Sequence, residues 1–347
     1  MSKKRLLVCL AAVMALTLIT AACGGGGTAP GGAAAQETFS WRLAHEENEG
    51  ELQHVFALAL QEELAARSDG RIHIDIFTVG QLGVGEEQVE LLQAGGIELA
   101  INNPGHTASF IPEVNVFELH YVLPTEIHRL NRIINEGEGI QYINQLFAGQ
   151  SMHVINWFPS GANFWTSNRA IRTPADFVGF RMRTMAAPII GRSYEVYGAN
   201  PIVIPFTELY SALQLGMADG QVNPVSSIVL LGFYEVQDYL IAADTDSFKS
   251  TFVANMDFWN SLPADIQQIV VESAAAANAT LLAEMDEINR VAMERAREVM
   301  TVIDLTEAEI DAFRQLAHAA RPDFFGFIGE GGPRILELFD ADVARFS

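Results

Sequence analysis

Residues 171–228 read IRTPADFVGFRMRTMAAPIIGRSYEVYGANPIVIPFTELYSALQLGMADGQVNPVSSI. Thr173-Pro174-Ala175-Asp176 sets a turn that opens a short helix, since proline is preorganised for a first helical position. Residues 179–183 follow as a strand that puts Arg181 and Arg183 on one face, because strand side chains alternate with period two. Pro188 starts a helical run over 188–197. Residues 200–204 form a further strand, 206–215 a further helical run, and 221–223 a strand stopped by Pro224. Such alternation predicts an α/β lobe on a largely parallel sheet. In open sheets of that kind ligands collect beyond the carboxyl ends of the strands. Arg183 and Asn223 stand at two such ends. An arginine there can clamp a carboxylate with two parallel hydrogen bonds, or it can be a surface group paired with one of the chain's many acids. The residues alone leave both open.

The alternation continues outward. Residues 39–44 and 71–77 read as strands, 51–67 and 86–94 as helices, and 151–158 as another strand. About 310 residues follow the N-terminal leader and its tether, more than one core usually serves. Two lobes are expected, 38–160 with about 249–288 as the first and 161–248 with about 289–347 as the second. From Pro263, at a first helical position, to about Met300 there is no internal glycine or proline. A helix of that span is about 52 Å long at 1.5 Å per residue, enough to brace both lobes. A coiled coil is the alternative, but the alanine-rich 274–279 gives no clean heptad. The fold expected is α/β, two-lobed like the periplasmic binding proteins, with a long lobe-spanning C-terminal helix.

At the other end, Lys3, Lys4 and Arg5 precede an apolar run over 6–20 and then Ala21-Ala22-Cys23. That is the layout of a cleaved leader, and the apolar run falls short of the roughly 20 residues a bilayer-spanning helix needs. Small residues before Cys23 predict a lipoprotein signal, 1–22, with lipid on the Cys23 thiol, although Thr20 stands where leucine is usual. Residues 23–37, with four consecutive glycines and Pro30, predict a flexible tether. Cys9 lies in the leader, so the mature domain keeps no thiol for a disulfide or a cysteine-based metal site. Without the leader's three basic residues, 18 Lys and Arg face 43 Asp and Glu, a formal charge of −25. That balance excludes a phosphate-binding basic face and so argues against nucleic acid.

Motifs for catalysis are missing: no Gly-x-Ser-x-Gly elbow, no phosphate loop, no His-Glu-x-x-His and no EF-hand loop. The eight histidines are scattered. His45-Glu46-Glu47 reads as a polar loop after a strand rather than as a chelate, and Glu62-Glu63 and Glu86-Glu87 read as solvated helix faces. No catalytic residue, cofactor or metal is expected.

The run 171–228 resembles the substrate-binding subunits of tripartite ATP-independent periplasmic (TRAP) transporters, the DctP-type extracytoplasmic solute receptors. The resemblance rests on Thr173 to Asp176, Arg181 to Arg183, Gly198 to Pro201, Glu208-Leu209-Tyr210-x-Ala212-Leu213-Gln214 and Asp219-Gly220-Gln221-x-Asn223-Pro224. Echoes at Gln81-Leu82-Gly83, Phe110 to Glu113, Val116 to Leu119 and Phe258-Trp259 extend it from about residue 39 to beyond 300. It implies that Arg183 holds the ligand carboxylate, that Asn223 assists and that Phe206 lines the cleft. In 161–166, with Trp165, Asn163 stands where many relatives carry a second arginine. Glu46 and Asn102 or Asn103 correspond to polar positions after the first and third strands. A single arginine implies a monocarboxylate with neutral polar groups, a hydroxy or sugar acid, in preference to a dicarboxylate. The partners implied are a small organic acid and the small and large permease subunits, with membrane contact through the lipid anchor only and an extracytoplasmic location. Three other readings stay open: the binding protein of an ATP-driven system, against which the long helix and the Glu-Leu-Tyr run argue; a ligand sensor for a membrane receptor; and an exported enzyme acting on an organic acid.

Overall fold

The computed structural model describes residues 37–347, so the leader, Cys23 and the tether up to residue 36 lie outside the described residues. The chain begins with β1 (Phe39–His45), α1 (Leu52–Arg67), β2 (Ile72–Phe77), α2 (Glu86–Gln93) and β3 (Leu99–Asn102). Helices α3 (Ile127–Glu136) and α4 (Glu138–Ala148) lead into the long strand β4 (Met152–Ser167). Next come β5 (Arg181–Thr184), α5 (Pro188–Glu195), β6 (Asn200–Val203), α6 (Leu209–Gln214), β7 (Gly220–Pro224), α7 (Val225–Leu230) and β8 (Tyr239–Ala242). The last stretch holds β9 (Ser247–Asn255), α8 (Met256–Ser261), α9 (Ala264–Val299), β10 (Thr301–Asp304), α10 (Glu307–Ala320) and α11 (Gly332–Arg345).

The fold is α/β with two lobes. In the first sheet β2, β1 and β3 run parallel, β9 lies antiparallel beside β3, and the first part of β4 pairs with β9. In the second, β6, β5 and β7 run parallel, β7 pairs antiparallel with the last part of β4, and β8 on its other edge leads to β10. The sheets are therefore mixed rather than largely parallel, because β4 and β9 run antiparallel to their neighbours. β9 lacks a period-two signature because its side chains are buried along nearly the whole strand, as in strands covered on both faces.

β4 passes from one sheet to the other, and its pairing with β9 shifts register between Pro159 and Ala162. Gly161 lies in that shift with φ +97°, and a Cβ there would stand 3.1 Å from Pro224 Cβ. Only glycine adopts that conformation without strain.

At 36 residues, α9 spans about 54 Å. Its buried side chains recur three or four residues apart, Ile266, Val270, Ala274, Ala277, Leu281 and Met285, a stripe on one helix face. These pack with Phe56, Leu60 and Ile74 of the first lobe. Ala292 and Ala296, further along, pack with Leu213, Ile228 and Leu240 of the second. One continuous helix thus serves both cores. Pro263 takes the N-cap rather than the first helical position, and 206–215 begins as a 3-10 turn before α6. α10 brings Phe313 against Trp165 and Phe177, while α11 returns to pack on α3 and α4. No helix among the described residues is long and apolar enough to cross a membrane.

Candidate functional site

A cleft of about 900 Å³ opens where strands of both sheets end. Glu46 and Glu47 follow β1, His106 follows β3, Arg183 and Asn223 lie near the ends of β5 and β7, and Phe206 follows β6. The first three form an acidic wall and the last three a basic one.

The basic wall comes from one short stretch of chain. Arg181 and Arg183 share a face of β5 but meet different surroundings. Arg181, at the open end, has a side chain 43% exposed and a two-pronged pairing with Asp219, Nη2 to Oδ1 at 2.5 Å and Nε to Oδ2 at 3.1 Å. Arg183 is 2% exposed. Its Nε donates to the Ile204 carbonyl at 2.9 Å, and among the described residues no carboxylate lies within 4.0 Å of it. Burial alone pulls its pKa down to about 10. A guanidinium held this way awaits an anion, because a buried charge is costly until it is paired.

Asn223 is turned by a relay of side chains. Its Nδ2 donates to Gln221 Oε1, Gln221 Nε2 donates to Thr166 Oγ1 at 3.1 Å, and Thr166 Oγ1 donates to Gln237 Oε1 at 2.9 Å. Phe206, half-buried in its 3-10 turn, supplies an apolar edge.

The acidic wall is assembled from distant segments. Gln53, in the first turn of α1, ties it together: its Oε1 accepts from Glu46 N at 2.8 Å, its N donates to Glu47 Oε2 at 2.8 Å, and its Nε2 donates to Ser250 Oγ on β9 at 3.0 Å. A carboxylate at the start of a helix also meets the positive end of the helix dipole. Burial, then the charges of Glu51 and Glu46, push the Glu47 carboxyl well above the usual range. Glu51 Oε2 accepts from Asn48 N and Nδ2 at 2.8 and 2.9 Å, while its buried Oε1 has no partner among the described residues. Glu46 accepts from Asn103 N at 2.7 Å, from Asn102 Nδ2 at 3.2 Å and from His106 Nδ1 at 2.8 Å. Burial opposes charge on His106, but Glu46 and Glu118 outweigh it and raise the imidazole pKa. Behind this wall, burial lifts the Glu118 carboxyl to about 7 against the pull of Lys249, and burial lowers the Lys249 ammonium.

Of the residues expected at the site, Arg183, Asn223, Phe206 and Glu46 line the cleft, and Asn103, Asn163 and Trp165 are not among its lining residues. Asn103 caps the 3-10 turn Pro104–Thr107, accepting from Gly105 N at 2.7 Å. Asn163 donates to Asp246 Oδ2 at 2.7 Å. Trp165 lies in an aromatic core, 4.9 Å from Phe177 and 5.3 Å from Phe313 between ring centroids. Lining residues that the sequence reading passed over include Glu47, Glu51 and His106, and Glu86 and Glu87, read as a solvated helix face, also border the cleft. His45-Glu46-Glu47, read as a polar loop, is buried; its proximity to an amphipathic helix was the available signal. Among the described residues no group of three or more His, Cys, Asp or Glu is placed to hold a metal.

Residues 43–325 match the family model described as bacterial extracellular solute-binding protein, family 7. The chain is 31% identical over 308 residues to the ectoine-binding periplasmic protein TeaA of Halomonas elongata, covering 88% of this chain and 90% of that protein. It is 32% identical over 314 residues to the ectoine/5-hydroxyectoine-binding periplasmic protein UehA of Ruegeria pomeroyi, covering 89% and 92%. The solved structure of the ectoine-binding protein of the Halomonas elongata TeaABC TRAP transporter matches with a TM-score of 0.84 at 31% identity, over 88% of this chain and 99% of that one.

Proposed function

The chain belongs to the bacterial extracellular solute-binding proteins of family 7, the substrate-binding proteins of TRAP transporters, and from that premise we propose that it captures a small monocarboxylate whose far end carries hydrogen-bond donors. Ectoine-type solutes, a carboxylate with a protonated cyclic amidine, suit both walls. The observation that carries the reading is Arg183, buried without an acidic partner among the described residues, in a cleft whose opposite wall is acidic. The carboxylate takes the free fork of Arg183 and the Asn223 amide. The amidine faces Glu47 and Glu51. Hydroxy and sugar acids, expected from Asn163, share the single carboxylate and would offer hydroxyls to the same glutamates. A second carboxylate would meet like charge there, which disfavours dicarboxylates.

The family and these relatives are binding proteins, not enzymes, and capture here is non-covalent. A cleft of about 900 Å³ exceeds what so small a solute fills, so the lobes close on it about the β4 and β9 crossing near Gly161, and reopening hands the solute to the small and large permease subunits. Hydrogen bonds to charged groups contribute about 1.5 to 3 kcal/mol each, so one forked arginine, one amide and the apolar edge reach the roughly 8 kcal/mol of micromolar binding. Lipid on Cys23 and the glycine-rich tether keep the domain near its permease. Cys23→Ser leaves ligand binding intact and moves the protein from the membrane fraction to the soluble one.

A thermal-shift screen with ectoine, 5-hydroxyectoine, galactonate and succinate tests the ligand class. At a hundredfold excess over Kd the bound ligand adds about 2.7 kcal/mol, roughly 5 °C for a chain this long. Ectoine is expected to give the largest shift. A larger shift with succinate overturns the reading of the acidic wall, and no shift with any of the four overturns capture itself.

A further inference from the structure

We propose that His106 is a ligand-binding residue, its Nε2–H donating to an acceptor of the captured solute beside the carboxylate held by Arg183. This rests on the capture reading above and adds a second cationic contact to a cleft expected to hold one.

Buried His45 and His120 and partly buried His106 use their two ring nitrogens differently. His45 uses both: Nδ1 accepts from Glu47 N at 3.3 Å and Nε2 meets His54 Nδ1 at 3.0 Å. Burial drives its pKa to about 3, so it is a neutral packing group. His120 pairs Nδ1 with Tyr197 Oη at 2.8 Å, and burial lowers its pKa as well. His106 differs from His45 in keeping one nitrogen free, and from both in the direction of its pKa. Glu46 takes its Nδ1 at 2.8 Å, and its Nε2 has no hydrogen-bond partner among the described residues. The ring lies against Gly85, another lining residue, where an added Cβ would come within 3.3 Å of Cδ2 and Nε2. A side chain larger than hydrogen there would press on the imidazole edge.

The surrounding charges favour an imidazolium. Glu46 faces it from the end of β1 and Glu118 from the 3-10 turn Pro112–Glu118, while Arg183 faces it from β5 and opposes. Behind Glu118 stand Lys249 and Asp246. Glu86, beside Gly85, is occupied by Ser109 Oγ. A carboxylate arriving on Arg183 cancels the one opposing charge, so docking and protonation of His106 reinforce each other. Glu46 is then a positioning residue: it holds the ring through Nδ1–H, and in the imidazolium Nε2–H is the remaining donor.

The test is calorimetric binding of ectoine, galactonate and succinate to the full protein at pH 6 and pH 9, for wild type, His106→Gln, Glu46→Gln and Arg183→Ala. His106→Gln is expected to weaken the binding of whichever probe wild type takes by about 10-fold or more at pH 6, the range of a charged hydrogen bond. The gap should narrow at pH 9, because the wild-type imidazole loses its charge as pH rises. Glu46→Gln should lower the pH at which affinity falls. Equal affinity of wild type and His106→Gln at pH 6 overturns the proposal, and so does a gap that does not change with pH, which marks a role in shape alone. If Arg183→Ala loses binding while His106→Gln keeps it, only this inference fails. If no probe binds wild type, the capture reading fails and His106 falls with it. Should His106→Gln not fold, the imidazole nitrogen resonances of wild type decide: a bound probe that leaves Nε2 unmoved overturns the contact.

Discussion

The two walls of the cleft reach the same place by opposite routes. The basic wall runs from Arg183 through Phe206 to Asn223, within one stretch of chain, and each residue is set by a strand end or the turn after it. The acidic wall joins Glu46, Glu51 and His106 from separate segments, and it depends on α1, on β9 through Ser250, and on the turn after β3. One wall is a local motif. The other is a product of tertiary packing. The contrast predicts that substitutions on the basic wall act on affinity alone, whereas those on the acidic wall also change which solute is preferred and how stability responds to pH.

The largest expected effect is that of Arg183→Ala, which lowers affinity by at least about 100-fold, the loss of two charged hydrogen bonds. The melting temperature should hold or rise, because the variant removes a buried charge that the ligand-free protein leaves unpaired. Binding within a few-fold of wild type would break the assignment of the basic wall. Glu47→Gln is next. It keeps an acceptor for Gln53 N but removes a carboxyl that can give up its proton to a bound cation, so ectoine binding should weaken about 10-fold while succinate binding holds or improves. Equal losses for both solutes would show that the acidic wall sets shape and not selectivity.

What was legible in the sequence divides along the same line. Period-two strands, helical runs and proline stops made the alternating elements and the long helix readable, since each depends on neighbours in the chain. Arg183 and Asn223 were readable as strand-end residues for the same reason. Trp165 misled because an aromatic residue in a strand looks alike whether it faces a cleft or packs on Phe313, and Phe313 is contributed by α10. Glu47 stayed hidden because its burial comes from α1 closing over the loop. A run of acids in sequence carries no sign of which helix will cover it. β9 gave no strand signal because strands covered on both faces lose their alternation.

A third substitution tests the acidic wall's response to pH. Glu118 titrates at about 7 when folded, above the ordinary carboxyl value of about 4.3. The folded state therefore binds the proton more tightly than the unfolded chain. That contribution to stability is full below the unfolded pKa and is lost as pH rises through about 7. Glu118→Gln should flatten the fall in melting temperature between pH 5 and pH 8, an effect on the order of 1 to 3 kcal/mol. An unchanged slope would mean that Lys249 compensates the carboxylate fully.

The smallest effect expected is at Arg181, and it sharpens the comparison because it lies two residues from the largest. The two arginines share a strand face, and by charge pattern alone they are equivalent. The structure separates them by what each meets: Arg181 has its acid in Asp219 and is about half open to solvent, while Arg183 is buried and has none among the described residues. Exposed ion pairs contribute little because water screens them, so Arg181→Ala should leave the chemical-denaturation midpoint close to that of wild type. Ligand affinity should stay within about threefold, since screening in water attenuates the field of an exposed charge at the cleft. A loss near that of Arg183→Ala would mean that the strand carries its ligand charge as a pair, and the local reading of the basic wall would have to give way to a cooperative one.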